Sequence, residues 1–170
     1  MNRYLQILLA VGWVPTLALV SGLRWLAPEP VQAQERTPIK VTRIYTGEDG
    51  MTHSEELEVP LHRRGQSATE LAEPVAVTSV QFRRTSPDYY LDFHNAPRRQ
   101  YVITLAGESE VELGDGTKIR LHPGHILLAE DLEGQGHISR AIGTEDRISI
   151  FLPLADQSGT EASFRYDPAP

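Results

Sequence analysis

The sequence predicts an all-β domain, and three observations support that fold class. Short runs in which apolar and polar residues alternate are separated by glycine-containing turns, for example Asp115-Gly116 and Pro123-Gly124; such a pattern is typical of antiparallel sheets. After residue 40, no helical periodicity of apolar residues continues for more than a turn or two. About nine strand-like runs follow one another at the spacing of a sandwich, barrel or jelly roll. We therefore expect one all-β domain.

Length, charge and cysteine content limit the classes of function. A chain of 170 residues suits one domain with a sizeable core. The formal net charge of −7 argues against a nucleic-acid partner, because phosphate binding needs a basic surface. The absence of cysteine excludes disulfides, thiolate metal sites and cysteine nucleophiles.

The N-terminal residues have the pattern of a secretory signal. Arg3 provides a positive start, residues 4–22 are mostly apolar, and small residues precede a potential cleavage point after Ala33. The apolar run is long enough for an uncleaved membrane anchor to be the alternative. In both cases residues 1–33 are a signal or anchor and residues 34–170 are exported, either periplasmic or secreted. Membrane contact is then expected only through residues 1–33.

The first half of the domain contains four predicted strands joined by polar turns. Residues 46–50, which follow the first strand, form a turn of residues that tolerate left-handed backbone. Pro60 removes a ladder donor from the second strand, so that this strand is expected at a sheet edge. The four strands are residues 41–45, 57–61, 75–84 and 89–93.

The next strand, residues 100–105, is apolar on both faces. Such a strand must be covered on both sides. The cover comes either from the N-terminal strands of the same chain or from a second subunit, and we expect a homodimer.

The second half of the domain alternates more cleanly. Three glutamates of residues 108–113 are predicted to point outward, and Ser109, Val111 and Leu113 to point inward. Asp115-Gly116 is a strong hairpin signal between this strand and the next. The remaining strands are residues 118–122, 126–129, 137–142 and 147–154, and the expected core residues are Val111, Ile119, Leu121, Ile126 and Leu128.

A first set of residues resembles a known motif. His94 is followed by Ala96, by Gln100 after three more residues, and by Gly107 after a further six. This spacing resembles the first motif of the cupin superfamily: His-x-His, three or four residues, Glu, six residues, Gly. Ala96 then stands at the second histidine position and Gln100 at the glutamate position.

A second set resembles the other cupin motif: Gly, five residues, Pro-x-Gly, two residues, His, three residues, Asn. Gly124 is followed after five residues by Glu130, which stands at the proline position. Gly134-Gln-Gly-His137 matches Gly-x-x-His, after a loop two residues longer than usual. The resemblance covers residues 75–154. It implies an antiparallel double-stranded β-helix, the jelly-roll barrel of the cupins, across residues 41–154.

The resemblance also implies a site inside the barrel, with His94, Gln100 and His137 as metal ligands. Imidazole suits Zn, Cu, Fe and Ni, and the expected cofactor is a divalent transition metal: Zn, Fe, Mn, Ni or Cu. Alternatively, each histidine only forms a hydrogen bond with a buried carbonyl. Gln100 is equally suited to orienting a water or a substrate. Glu130 and Asp131 could supply a replacement carboxylate or a base, but loop acids are more often solvated surface charges.

Arg98 and Arg99 suggest recognition of an anion, because guanidinium groups pair well with carboxylate and phosphate. Adjacent strand residues point to opposite faces, so only one of the two enters the pocket. Arg98 is preferred because it shares a face with Gln100. We expect an exported cupin-domain protein that binds a small, anionic molecule in the barrel mouth. Alternatives are a metal-dependent enzyme of the dioxygenase or isomerase type and a metal-free epimerase or isomerase.

Overall fold

The computed structural model describes residues 36–66 and 68–158. All strands of this part lie in the unit formed by residues 37–170. The predicted signal or anchor, residues 1–33, lies outside the described residues. Within the described ranges, no helix has the length and apolar character that crossing a membrane requires.

Twelve strands follow one another in the described part, with no helix between them. Their bounds are β1 Lys40–Thr46, β2 Thr52–Glu58, β3 His62–Arg63, β4 Glu70–Leu71, β5 Gln81–Thr85, β6 Tyr90–His94, β7 Gln100–Ala106, β8 Glu108–Glu112, β9 Lys118–Leu121, β10 Ile126–Glu130, β11 His137–Ile142 and β12 Arg147–Pro153.

Two sheets face each other and form the barrel. One contains six strands in the order β2-β1-β10-β7-β12-β5, and the other contains four in the order β6-β11-β8-β9. Every ladder is antiparallel except that between β1 and β10, which is parallel. Strands β3 and β4 pair only with each other. The predicted all-β, jelly-roll fold is therefore confirmed.

The inner faces of the two sheets share one apolar cluster. Val102 and Leu127 of the six-stranded sheet pack there with Val111 and Leu121 of the four-stranded sheet. The predicted alternation of β8 is confirmed, since Ser109 and Val111 are buried while its glutamates are partly exposed.

A second apolar cluster lies on the other face of the six-stranded sheet. Leu128 is fully buried there beside Tyr101, and Ile126 packs against them. Both predicted core residues of β10 therefore belong to this cluster, and not to the interior of the barrel. Val59 and Val75, in the irregular segments on either side of β3 and β4, cover the cluster.

Two predicted strand boundaries were wrong. The run of residues 57–61 contributes only its first two residues to β2, which continues from Thr52. The run of residues 75–84 is strand only from Gln81 onward, apart from an isolated bridge between Val77 and Leu154. In both places the apolar residues cover the outer cluster as irregular chain, because burial there does not require a ladder.

The cover of β7 bears on the predicted homodimer. Tyr101 is covered by the same chain, whereas Leu105 is 48% exposed and Phe82 of the neighbouring edge strand is 71% exposed. The homodimer stays a prediction.

We expect light scattering to give twice the protomer mass at micromolar concentration, and Phe82→Lys to shift the population towards monomer. The variant Arg120→Lys, at an exposed position of the opposite sheet, is the control, and a wild-type monomer throughout the micromolar range would contradict the prediction.

Candidate functional site

A cavity of about 630 Å³ lies between the two sheets. Its apolar wall includes Val102 and Leu127 from one sheet and Val111 and Leu121 from the other. Its polar wall includes the three predicted ligands His94, Gln100 and His137. The barrel thus brings together residues that are as many as 43 positions apart in the sequence.

The two histidines face each other across neighbouring strands. His94 ends β6, His137 begins β11, and the two residues are directly paired in the antiparallel register. Their ring centroids are 4.4 Å apart, with an angle of 54° between the ring planes. The cupin-like spacing correctly predicted that these side chains would be close together.

His137 is held by a buried carboxylate. Its Nδ1 lies 2.5 Å from Oδ2 of Asp131, a side chain with no solvent exposure. A carboxylate can only accept, so Nδ1 carries the proton, and the Nε2 lone pair is left as the acceptor. Thr52 donates a second, longer hydrogen bond of 3.4 Å to the same carboxylate oxygen. Asp131 therefore fixes both the tautomer and the orientation of His137.

His94 is held more loosely than His137. Its Nδ1 donates to the main-chain carbonyl of Asp92 at 2.8 Å. Burial, followed by the proximity of His137, holds the pKa of His94 below its usual value, against the opposing effect of the Asp92 carbonyl. A lowered pKa favours the neutral ring at neutral pH, and a neutral ring can accept a hydrogen bond or bind a metal.

Gln100 is the third predicted residue at the cavity wall. It begins β7 and is 5% exposed. In the sheet it lies between Ala129 of β10 and Pro153 of β12, so that its position is fixed from both sides.

Glu130 and Asp131 are buried, and the expectation of solvated loop acids was wrong for both. Glu130 ends β10, and its carboxylate accepts from Arg99 Nε at 2.9 Å and from Arg43 Nε at 2.6 Å. Neither acid lies on the cavity wall. Both carboxylates already have other partners in the protein: two guanidinium groups pair with Glu130, and the His137 imidazole donates to Asp131.

The two arginines of the predicted anion site lie apart. Arg99 is 1% exposed and paired with Glu130, whereas Arg98 is exposed. Arg98 borders a smaller recess of about 180 Å³, which it shares with Gln100, and does not line the main cavity.

Arg147 is a cavity residue that the sequence analysis missed. It begins β12, is only 7% exposed, and lines the main cavity. A signal was present in the sequence, because Arg147 has the same parity along the strand as Ser149 and Phe151, and residues two apart share a face. Had Phe151 been assigned to the interior, Arg147 would have been assigned there too.

In the described part of the chain, no three or more His, Cys, Asp or Glu side chains come together as a metal site. The nitrogen donors at the cavity wall are the two imidazoles of His94 and His137. The amide of Gln100 is the third group of the set predicted from the sequence.

Comparisons with known proteins found similarity only at the level of structure. No family model matches the sequence, and no curated protein matches it. A protein from Neisseria meningitidis is 13% identical, with a TM-score of 0.36 over 52% of this chain and 90% of that chain. A Salmonella typhimurium protein assigned to ethanolamine utilization is 14% identical, with a TM-score of 0.36 over 71% of this chain and 100% of that one. The cupin domain of Cnp3 from Schizosaccharomyces pombe is 14% identical, with a TM-score of 0.37 over 70% and 85%.

Proposed function

We propose that this protein binds a small molecule inside the barrel, at the wall formed by His94, Gln100 and His137. The observation that carries the proposal is the placement of these three side chains on one cavity of about 630 Å³. Small-molecule sites are typically concave, mostly apolar and of this size, with a few polar groups that set the orientation of the ligand. We also propose export directed by residues 1–33.

The chemistry of the donors supports a weak divalent metal site as part of this proposal. His94, His137 and Gln100 would hold the metal, and Asp131 would orient His137 as carboxylates commonly do beside metal-bound histidines. Catalytic zinc sites usually have three strong protein ligands, whereas this site offers two, the imidazoles, because the amide of Gln100 is a weak ligand. The metal is therefore expected to bind weakly. A divalent transition metal bound there would supply a Lewis acid to polarise a ligand oxygen.

We expect the purified protein to retain Zn, Fe(II), Mn, Ni or Cu at less than one equivalent after incubation with each in turn. His137→Ala should remove this binding, and Asp131→Asn should weaken it by about 10- to 100-fold, because the imidazole loses its negatively charged acceptor. Ala96→His should strengthen it, since Ala96 lines the same cavity and a histidine there would add a third imidazole. Elemental analysis and metal titration provide the measurement.

His122→Ala is the matched control, because His122 is exposed and outside the cavity wall. Circular dichroism of each variant checks that the barrel still forms. Metal retention equal in wild type and His137→Ala would contradict the metal part of the proposal. Ligand binding would then have to be tested at the same wall without metal.

A further inference from the structure

The cavity has a second polar end, far from the two histidines. Gln100 pairs with Pro153 at one end of the β7–β12 ladder, whereas Ala106 pairs with Ile148, next to Arg147, at the other. At about 3.3 Å per residue, Arg147 begins its strand roughly 20 Å from Pro153. Arg147 lines the same cavity as the histidines, so that one ligand can reach both ends.

Arg147 is a buried cation without a counter-charge. Its Nε is buried and has no hydrogen-bond partner, and no ion pair among residues 36–66 and 68–158 includes it. Burial lowers the pKa of Arg147, against a smaller opposing effect of Tyr89, and the nearby positive charge of Arg83 acts in the same direction as burial. Buried charges in proteins are normally paired, because desolvation of a lone charge is costly.

Three buried hydroxyl groups on the strands β7, β8 and β12 also have no hydrogen-bond partner. They belong to Thr104, Ser109 and Ser149. Ser149 is two residues from Arg147 on the same face of β12, and Thr104 is its partner in the ladder. Ser109 lines the cavity itself. Native structures leave few buried polar groups unsatisfied, so the unsatisfied hydroxyl of Ser109 on the cavity wall indicates a missing acceptor there.

We propose that Arg147 and Ser109 bind the carboxylate of a monocarboxylic acid whose apolar body lies in the cavity. Arg83 and Arg84 also line the cavity, but both are exposed, whereas Arg147 is buried. One buried guanidinium balances one negative charge, and its forked N–H groups match the geometry of a carboxylate. The distribution of side chains on the cavity wall supports an apolar body, since Val102, Leu127 and Phe151 line the cavity between its two polar ends. The inference rests on the proposed function, because it assigns the ligand class and the orientation of the ligand in the same cavity.

The test is calorimetric titration of the purified full chain with butyrate, hexanoate and octanoate. The matched probes are 1-butanol, 1-hexanol and 1-octanol, which have the same chains without charge, and inorganic phosphate, which has charge without a chain. We expect each alkanoate to bind at least about tenfold more tightly than its alcohol, since charge-assisted hydrogen bonds are lost in the alcohol. Affinity should rise by about fourfold per added methylene until the cavity is filled. Phosphate should bind more weakly than hexanoate.

Variants at Arg147 then separate charge from shape. Arg147→Met keeps much of the side-chain volume, and should lower hexanoate affinity by at least about tenfold while leaving hexanol affinity within about twofold of wild type. Arg147→Lys keeps the charge without the fork, and should give an intermediate affinity. Arg120→Met, at an exposed position in β9 paired with Glu108, is the control and should bind hexanoate like wild type.

The outcomes distinguish this inference from the proposed function. Equal affinity for hexanoate and hexanol, or unchanged hexanoate affinity in Arg147→Met, would overturn the inference. Binding of either probe that is unchanged by Arg147→Met but lost in His137→Ala would leave the proposed function standing alone. If none of the alkanoates binds wild type at millimolar concentration, the carboxylate assignment is wrong.

Discussion

Glu130→Met is expected to destabilise the fold by about 3–5 kcal/mol, the range found when one member of a buried ion pair is removed. Arg99, which is 1% exposed, would keep its charge but lose the carboxylate that accepts from both its Nε and one terminal nitrogen. Arg43 would lose the same partner at a half-buried position. The free energy of unfolding, obtained from a urea titration, is the measurement.

Glu108→Gln provides the matched control on an exposed ion pair. Glu108 pairs with Arg120, whose side chain is 63% exposed, and solvent screens that attraction. We expect its loss to cost no more than about 1 kcal/mol. The double variant Arg99→Met/Glu130→Met should recover part of the stability lost in Glu130→Met, because it no longer buries a guanidinium whose remaining carboxylate partner is the exposed Asp156. Equal destabilisation by Glu130→Met and Glu108→Gln would show that the buried pair is not a main source of stability.

The same pair has a consequence for the site. Glu130 ends β10, and the next residue is Asp131, whose carboxylate orients His137. Arg99 precedes Gln100 at the start of β7, the strand that pairs with β10. The Arg99–Glu130 ion pair therefore holds together the two strand ends that place Asp131 and Gln100, which gives Glu130 a structural role.

The elements that could be predicted from the sequence are those set by short-range patterns. The alternation of residues 108–113 and the Asp115-Gly116 turn specify a hairpin locally, and β8 and β9 form one with the expected faces. The proximity of His94 and His137 could be predicted because each histidine lies in a motif whose complete residue spacing resembles that of a known fold. The segments that cover the outer cluster near Val59 and Val75 could not be predicted as irregular, because a buried apolar run looks the same as a strand.

The roles of the charged residues could not be predicted, because they depend on partners brought in by the sheets. Asp131 and His137 are only six residues apart, but nothing in that spacing indicates a hydrogen bond between them. Glu130 and Arg43 are 87 residues apart and meet only through the parallel β1–β10 ladder. Arg147, alone in an amphipathic strand, resembles an ordinary surface arginine until Phe151 is known to face inward. The ion pairs at the site thus depend on which strands the fold brings together, whereas the positions of the two histidines could be predicted from the spacing within the two sequence motifs.

Gly136→Ala is expected to destabilise the protein by about 3–5 kcal/mol and to separate the two histidines. Gly136 has φ of 73°, a left-handed backbone that costs an L-residue about 1–2 kcal/mol. A Cβ there would also lie 2.2 Å from the main-chain oxygen of His94 and 2.5 Å from its carbonyl carbon. Because both atoms are backbone, relief requires β6 to move away from β11, where His94 and His137 are paired.

The control, Gly124→Ala, isolates the backbone contribution. Gly124 has φ of 86°, and a Cβ there would meet no atom within 4 Å, so that only the left-handed penalty of about 1–2 kcal/mol applies. Urea titrations of both variants measure the difference in unfolding free energy, and metal or hexanoate titration measures the state of the site. Gly124→Ala should bind like wild type, whereas Gly136→Ala should lose binding that depends on His94 and His137, even under conditions where it remains folded. Equal losses of stability in the two variants, with binding intact in both, would mean that the close approach of Gly136 to His94 does not determine the geometry of the site.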